Sequence, residues 1–273
     1  MPRTLALLLT ILTLAAGAPA AHASAKTDQR LDESRRVFES FANLSEQAIP
    51  SWLLERSYGV VVIPRVIKGA LGFGGRGGAG VMAVRNPDGS WSNPVFVYLA
   101  GANFGFQVGV QSTDLVLVLM SRQSVEGIAG GKVTLGADAS VAAGPVGRTA
   151  AAATDATLKA QVLSYARSEG LFAGVALDGT IIAVDDKSNA TAYGVPGILG
   201  SQILDGSAGS PPPAARAFSA SLAGATSGAT SAPAATAAPA APATPTAETP
   251  PPTDEGAKTF PMEDPEPGAP PPQ

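Results

Sequence analysis

Two overlapping glycine patterns are the first feature of this chain that could carry chemistry. Gly72, Gly74 and Gly77 form one match to G-x-G-x-x-G, and Gly75, Gly77 and Gly80 form the other. In a dinucleotide-binding loop such a pattern follows a strand and opens a helix, whose first N–H groups hold the pyrophosphate. Here the residues that follow predict strand, turn and strand, so we reject the nucleotide interpretation. The glycines indicate close approach of the backbone, either to a phosphate or to a neighbouring strand.

The glycine segment lies in a window of purely basic charge. Residues 56 to 87 include five basic residues and no acid: Arg56, Arg65, Lys68, Arg76 and Arg85. Guanidinium and ammonium groups bind phosphate oxygens, and glycine N–H groups can complete a concavity for an anion. The window therefore predicts a binding site for phosphate-bearing anions. The alternative interpretation is that each arginine is an ordinary surface residue or is ion-paired, and does not bind phosphate.

The first 25 residues predict a secretory signal peptide. Arg3 supplies a basic start, and an apolar run from Leu5 to Ala16 is too short for a membrane span, which needs about 20 residues. Small residues favour cleavage after Ala23 or Ala25. The chain has no cysteine, so we expect neither a lipoprotein anchor nor disulfides. We expect an exported protein, periplasmic or secreted and peripheral on the membrane.

The residue types that most enzymes need are scarce. His22 is the single histidine and lies in the predicted leader, which leaves the mature chain without imidazole or thiol. Asp185 and Asp186 lie in a polar segment and are expected to be solvated. We therefore expect no enzymatic activity, no cofactor and no metal, with carboxylate catalysis as an alternative.

Apolar patterning predicts the elements that position the basic residues. An amphipathic helix is expected over 26–47, a short helix after Pro50, and another over Ser121–Ala129 with Ser121 or Ser124 as its N-cap. Strands are expected at Tyr58–Ile63, Gly78–Arg85, Trp91–Leu99, Asn103–Val110, Asp114–Met120, Lys132–Ala142, Gln161–Arg167, Leu171–Ala176 and Thr180–Val184. Turns containing Asp-Gly predict hairpins at Pro87–Gly89 and Leu177–Gly179. The predicted fold class is α+β: an antiparallel curved sheet or partial barrel, with N-terminal helices packed on it.

Composition divides the chain into a signal peptide (1–25), a folded domain (26–204) and a tail (205–273). The domain has 15 basic and 15 acidic residues, whereas the tail carries a net charge of −5. Sixteen of the 24 prolines lie between Pro211 and Pro272, mixed with Ala and Thr. Such a segment buries little apolar surface, so we expect a disordered Pro/Ala-rich tail.

Several motifs follow one another along the chain: Arg76-Gly-Gly-Ala-Gly-Val81, Asn86-Pro-Asp-Gly-Ser-Trp91-Ser-Asn-Pro94, Phe106-Gln-Val-Gly109, Thr113-Asp114, Val133-Thr-Leu-Gly136, Ser140-Val-Ala-Ala-Gly-Pro-Val-Gly-Arg148 and Tyr165-Ala-Arg-Ser-Glu-Gly-Leu-Phe-Ala-Gly174. They resemble the signature of the SYLF domain, and the match runs in order from about residue 28 to residue 204. The family takes in eukaryotic membrane-trafficking proteins and exported bacterial proteins. The resemblance implies lipid binding.

The resemblance and the basic residues together predict a non-enzymatic module that binds anionic membrane lipids. Eukaryotic relatives resemble phosphoinositide-binding modules with a basic N-terminal segment, and some bind actin. For an exported protein we expect anionic phospholipid or another membrane lipid as partner, but neither actin nor nucleic acid. The candidate lipid-binding residues are Arg65, Lys68, Arg76 and Arg85, with Arg30, Arg35 and Arg36 as a second group. The alternative is an envelope structural module whose Pro-rich tail contacts the wall or another protein.

Overall fold

A computed structural model describes residues 18–43, 48–146, 159–168, 171–173 and 177–227. The predicted leader up to residue 17, the last residues of the predicted first helix and the tail from residue 228 lie outside the described residues. In the described part of the chain, no helix is both long and apolar enough to cross a membrane.

Seven strands form one sheet, and their pairings are antiparallel except for the parallel pair of β4 with β5. The strands are β1 (Gly59–Val84), β2 (Val95–Leu119), β3 (Lys132–Thr134), β4 (Val141–Ala143), β5 (Val162–Ser168), β6 (Leu171–Ala173) and β7 (Thr180–Val184). The helices are α1 (Ala18–Ala42), α2 (Ser51–Arg56), α3 (Arg122–Ala129), α4 (Asp186–Tyr193), α5 (Gly200–Leu204) and α6 (Pro213–Ser227). The predicted α+β class with a curved sheet is confirmed.

The first two strands form a long hairpin that divides the sheet into two wings. β1 pairs with β2 from Met82↔Val95 near the turn to Gly59↔Leu119 at the far end. On the other edge of β2, residues 97–101 pair with β7 and residues 114–119 pair with β5. A straight strand of 26 residues would span about 85 Å. The hairpin curls instead. The part of the sheet that contains β5 and the part that contains β7, which we call the two wings, therefore pack against each other.

The curl depends on glycines in the second half of β1. A Cβ added at Gly80 would lie 2.8 Å from the Ile63 Cα and would overlap the carbonyl oxygen of Val62. A Cβ added at Gly78 would lie 2.7 Å from the Ile63 Cγ2. These glycines therefore let the two halves of β1 cross in direct contact. At these two glycines the close approach of the backbone that the sequence indicated is therefore to a neighbouring stretch of strand.

Both faces of the strands are buried at residues 59–63, 81–83, 95–97, 115–119 and 162–166, which explains the apolar runs there. Between the wings lies an inner core of Val61, Ile63, Met82, Val97, Leu99, Leu115, Leu117, Leu119 and Ile182. On the opposite face lies an outer core, where Val60, Val62, Phe96, Val116 and Val118 pack beneath helix residues Phe38, Phe41, Leu53, Leu54, Phe218 and Leu222. The expected helices on the sheet are confirmed.

Three predicted details change in the structure. The five expected strands between residues 58 and 120 merge into β1 and β2, because their glycine-rich parts pair with each other. The expected strand 132–142 is two short strands around a turn, in which Gly136 has a φ of 85°. The turn at Gly179 does not join paired strands, since β6 pairs with β5 and β7 with β2 and β3.

The packed part of the chain continues beyond the expected boundary at residue 204. Helix α6 buries Ala215, Phe218 and Leu222 in the outer core. The Ser219 hydroxyl donates to the Ser92 carbonyl at 2.9 Å, and the Ser221 hydroxyl donates to Glu39 at 3.2 Å. The expectation of a disordered tail from residue 205 therefore fails for this helix. Phe218 and Leu222 are enough to hold this alanine-rich helix on the domain, because α1 and α2 supply the apolar surface that faces them.

Candidate functional site

The structure distributes the seven predicted lipid-binding residues over several environments. Arg30 holds helix α1 to the start of α4. Its Nη1 lies 2.8 Å from the Asp185 carboxylate and 3.2 Å from the Ser188 hydroxyl, and its guanidinium stacks on Phe96 at 5.5 Å. Arg30 therefore joins two elements of the fold, and its assignment to lipid phosphate stays a prediction.

Asp185 is a helix cap rather than the freely solvated carboxylate that the sequence suggested. It accepts hydrogen bonds from the Ser188 amide at 3.1 Å and from the Ser188 hydroxyl at 2.6 Å. Burial alone would raise the pKa of Asp185, but the bonds from Ser188 and Arg30 outweigh burial and lower that pKa. The carboxylate thus stays ionised and caps α4.

Two more of the predicted residues have carboxylate partners. Arg35 lies 2.8 Å from Glu39, one turn along α1. Arg65 of β1 lies 2.6 Å from Glu33 of α1, and the backbone N–H of Arg65 donates to Asp114 at 3.1 Å. Arg65 is still 64 % exposed and has a φ of 50°, at an irregularity in the β1–β2 register. Both arginines are ion-paired, Arg65 remains accessible, and their assignment to lipid stays a prediction.

Arg36, Lys68 and Arg85 are not held by carboxylates at ion-pair distance within the described residues. Arg36 is exposed on α1, and Lys68 is half-buried on β1 opposite Gln111. Arg76 lies along the neighbouring strand, because a Cβ at Gly101 would be 3.2 Å from the Arg76 Cγ. That close approach gives Arg76 a packing role.

One surface combines exposed apolar side chains with basic ones. Ile67 is 46 % exposed and Val110 is 80 % exposed. They lie on the same face of the hairpin, since Gly69 pairs with Val110 and Ile67 precedes Gly69 by two residues. Lys26 and Arg65 line a cleft together with Ile67. These four residues, Ile67, Val110, Lys26 and Arg65, form what we call the ribbon patch, whereas Lys68 follows Ile67 directly and lies on the opposite face of β1.

A cleft adjoins the ribbon patch and shares residues with it. The cleft has a volume of about 430 Å³ and lies between residues 26–33 of α1 and the register irregularity of β1. Lys26, Glu33, Arg65 and Ile67 are among its lining residues. Glu33 reduces the positive potential at Arg65, so Lys26 contributes most of the unbalanced charge of the patch.

A second cleft collects arginines that the sequence did not group together. We call it the arginine cleft: it has a volume of about 390 Å³ and is lined by Arg56, Arg85 and Arg122. Arg85 was a predicted site residue, Arg56 belonged to the basic window without being selected, and Arg122 lies outside that window. These arginines come together only because the two ends of β1 meet, and no local sequence pattern predicts that contact.

Groups suited to metal binding or catalysis do not converge on either surface. Within the described ranges, no group of three carboxylate or histidine side chains is placed to hold a metal ion. Burial raises the pKa of the Tyr165 and Tyr193 hydroxyls. Those hydroxyls donate to the Pro145 and Pro94 carbonyls at 3.1 Å and 2.7 Å. Both tyrosines therefore have structural roles.

Comparison with known proteins decides the family. A family model described as Ysc84, Las17-binding protein actin regulator, matches residues 100–225. The resemblance to the Ysc84 (SYLF) family is confirmed over those residues. The match ends within α6, so the family pattern, like the structure, continues past residue 204.

The chain is similar to parts of longer eukaryotic proteins. Protein YSC84 of Saccharomyces cerevisiae is 41% identical over 153 residues, which cover 55% of this chain and 32% of the yeast protein. LAS seventeen-binding protein 3 of the same yeast is 40% identical, with 55% and 33% covered. Human SH3 domain-containing YSC84-like protein 1 is 36% identical over 152 residues, with 55% and 44% covered.

The chain thus spans a third to less than half of the relatives that it matches. The family description and the relatives' names refer to proteins that bind Las17 and regulate actin, so the Ysc84 family is one of binding and regulatory proteins. Our expectation that actin is not a partner is at odds with the family description.

Proposed function

We propose that this chain binds anionic membrane lipids through the ribbon patch. The observation that carries the proposal is the exposed pair Ile67 and Val110, which shares one face of the hairpin and has basic side chains around it. Apolar side chains enter the boundary between headgroups and acyl chains, while ammonium and guanidinium groups bind headgroup phosphates.

Neither contribution is large enough alone, so binding should require both. Burial of two partly exposed aliphatic side chains contributes about 2–4 kcal/mol. Each basic residue near an anionic surface adds about 1 kcal/mol, and the ion pair with Glu33 reduces the share of Arg65. We therefore expect reversible binding that discriminates strongly between anionic and zwitterionic bilayers.

The apolar contribution can be tested by vesicle flotation with the full chain. We expect Ile67→Ser with Val110→Ser to lower binding to phosphatidylglycerol-containing vesicles at least about fivefold. Val195→Ser with Leu199→Ser is the matched control, because those residues are also exposed, at 42 % and 59 %. Equal binding of the unsubstituted protein to anionic and zwitterionic vesicles would contradict the proposal, as would equal losses in both variants.

We also propose that the chain is exported and acts at the outer side of a membrane. The leader pattern of residues 1–25 supports this, and the described buried residues of α1 all follow Ala25: Thr27, Leu31, Ser34, Phe38 and Phe41. Cleavage after Ala23 or Ala25 would therefore leave the packed face of the helix in place. N-terminal sequencing of the protein from its native cells tests this, and an intact Met1 would refute it.

A protein partner is the second candidate function, favoured by the family description as a Las17-binding actin regulator. The Pro-rich tail is a further candidate contact for a partner or for the cell wall. Co-sedimentation with filamentous actin tests directly whether actin is a partner. Absence of the protein from the actin pellet at low ionic strength would exclude direct actin binding.

A further inference from the structure

The arginine cleft lies where the two ends of β1 come together. The Arg85 backbone N–H donates to the Tyr58 carbonyl at 2.9 Å, so residues at opposite ends of the strand become neighbours. Helix α2 contributes Arg56 to the cleft, and α3 contributes Arg122. The lining of the cleft shares no residue with the ribbon patch. The cleft is therefore a second candidate site, independent of the proposed lipid contact.

Aromatic rings orient the three guanidinium groups of the cleft. Each guanidinium lies over one ring: Arg56 over Trp52 at 5.6 Å, Arg85 over Trp91 at 6.0 Å, and Arg122 over Tyr58 at 5.5 Å. Stacking restrains the guanidinium but leaves N–H groups at its edge for an anion. Arg56 and Arg122 are exposed, so their donors are accessible to a ligand.

Two carboxylates share the cleft with the arginines without pairing with them. Glu55 and Glu126 line the cleft and are exposed. Across the described ranges, however, the ion pairs involve other arginines, namely Arg30, Arg35, Arg65 and Arg167. Three arginines and two glutamates leave the lining with one net positive charge. The cleft therefore suits a ligand that carries a single negative charge and also has hydroxyl groups to donate to the carboxylates.

The cleft also offers an aromatic ring and an apolar lining. Tyr58 is 41 % exposed, although Arg122 lies over its ring. Val84, Pro87 and Val125 add apolar surface. The C–H groups on one face of a sugar ring carry a small positive charge and pack against the negative face of an aromatic ring. The volume of about 390 Å³ lies within the range of ligand sites, about 300–1,000 Å³, so a sugar ring can enter the cleft.

We propose that the arginine cleft binds a sugar ring that carries one carboxylate, either a free uronic acid or a unit of an acidic polysaccharide. The carboxylate of the sugar pairs with the guanidinium of Arg122 or Arg56. The sugar hydroxyls donate to Glu55 and Glu126, and the ring packs on Tyr58. An anion without hydroxyls would be repelled by the two carboxylates, and a neutral sugar would leave the guanidinium groups unpaired. Binding therefore requires both parts of the ligand.

The experiment is calorimetric titration of the full chain with glucuronate, glucose and inorganic phosphate. We expect glucuronate to bind at least about tenfold more tightly than glucose or phosphate, since each of those carries only one part of the ligand. Equal affinity for glucose and glucuronate would overturn the proposal, as would tighter binding of phosphate or of glucose 6-phosphate. A glucuronate oligomer distinguishes the two sources: a higher affinity per ring supports a polysaccharide, and an equal affinity supports the free acid.

Two substitutions at exposed positions of α3 test the roles of the side chains. Arg122→Gln should weaken glucuronate binding at least about tenfold, whereas Lys187→Gln removes an exposed charge of α4 outside the cleft and should not.

Glu126→Gln separates a hydroxyl acceptor from a mere source of repulsion. We expect this variant to bind glucuronate more weakly and phosphate more tightly, because it loses an ionised acceptor and a negative charge at once. Tighter binding of both ligands would show that Glu126 only repels anions, and would overturn the assignment to a sugar. Unchanged glucuronate affinity in Arg122→Gln would also overturn it.

Discussion

Arg30 and Asp185 form an ion pair at 2.8 Å between residues that are 155 positions apart in sequence. The pair joins helix α1 to the cap of α4, next to Phe96 in the outer core. Arg30→Gln should therefore destabilise the fold by about 1–3 kcal/mol while leaving vesicle binding of the folded protein unchanged. Urea unfolding combined with flotation checks this. Weaker flotation with unchanged stability would return Arg30 to the lipid site.

The pH dependence of stability should reflect Asp185. Its pKa in the folded state is lowered below the ordinary value of 3.8 by Ser188 and Arg30, against the effect of burial. Its stabilisation is therefore complete above that ordinary value and is lost as the pH falls through the folded-state pKa. Asp185→Asn should lower stability at neutral pH and flatten the acid limb of the profile. A parallel profile for the two proteins would show that Asp185 contributes nothing to acid unfolding.

The crossing of the two halves of β1 predicts a sharp contrast between glycines. Gly80→Ala places a Cβ against the backbone of Val62 and Ile63, so we expect a loss of at least about 3 kcal/mol or failure to fold. Gly69→Ala meets no atom within 4 Å and should change stability by less than about 1 kcal/mol. Thermal unfolding of both variants is the measurement. Similar effects at the two positions would contradict the observed crossing.

Helix α6 should be essential to the fold despite its composition. Phe218 is fully buried in the outer core, so Phe218→Ala should cost about 3–5 kcal/mol. Arg216→Ala, on the exposed side of the same helix, should stay within about 0.5 kcal/mol of the unsubstituted protein. Denaturant midpoints distinguish the two outcomes. An unchanged midpoint for Phe218→Ala would mean that the helix does not pack on the domain in solution.

The proposed lipid contact predicts a dependence on both charge and salt. Lys26→Gln removes a basic group of the ribbon patch that has no carboxylate within ion-pair distance in the described chain, so binding to anionic vesicles should fall about threefold to fivefold. Lys187→Gln, on exposed Lys187 of α4, is the control. Rising salt should reduce the difference, because exposed charges are screened over about 8 Å at physiological ionic strength. A salt-independent difference would argue against an electrostatic role.

The sequence predicted the fold class because the strands near the cores are apolar without interruption. Val60 to Ile63 and Leu115 to Leu119 could be recognised as buried strands from composition alone. The glycine-rich middle of the hairpin could not, since its pairing comes from backbone contacts and its side chains carry no periodic signal. Helix α6 was missed for a related reason: its alanines resemble the tail that follows.

The candidate site was predicted less well than the fold. Net charge along the chain identified a basic window, but each arginine's role depends on partners that are distant in sequence. Glu33 neutralises part of Arg65, Asp185 binds Arg30, and the curl of β1 brings Arg85 to Arg122. Such pairings follow from tertiary contacts and cannot be read from local composition.

The length of the β1–β2 hairpin has a consequence for the order of folding. Pairing near the turn, at Met82↔Val95, closes a short loop, whereas Gly59↔Leu119 closes one of about 60 residues. We expect the hairpin to zip outward from the turn at Gly89, with the contact between Arg85 and Tyr58 among the last to form. The arginine cleft would then mature only after the hairpin is complete. Pulse-labelling hydrogen exchange would reveal this as late protection of the Arg85 amide relative to that of Val97.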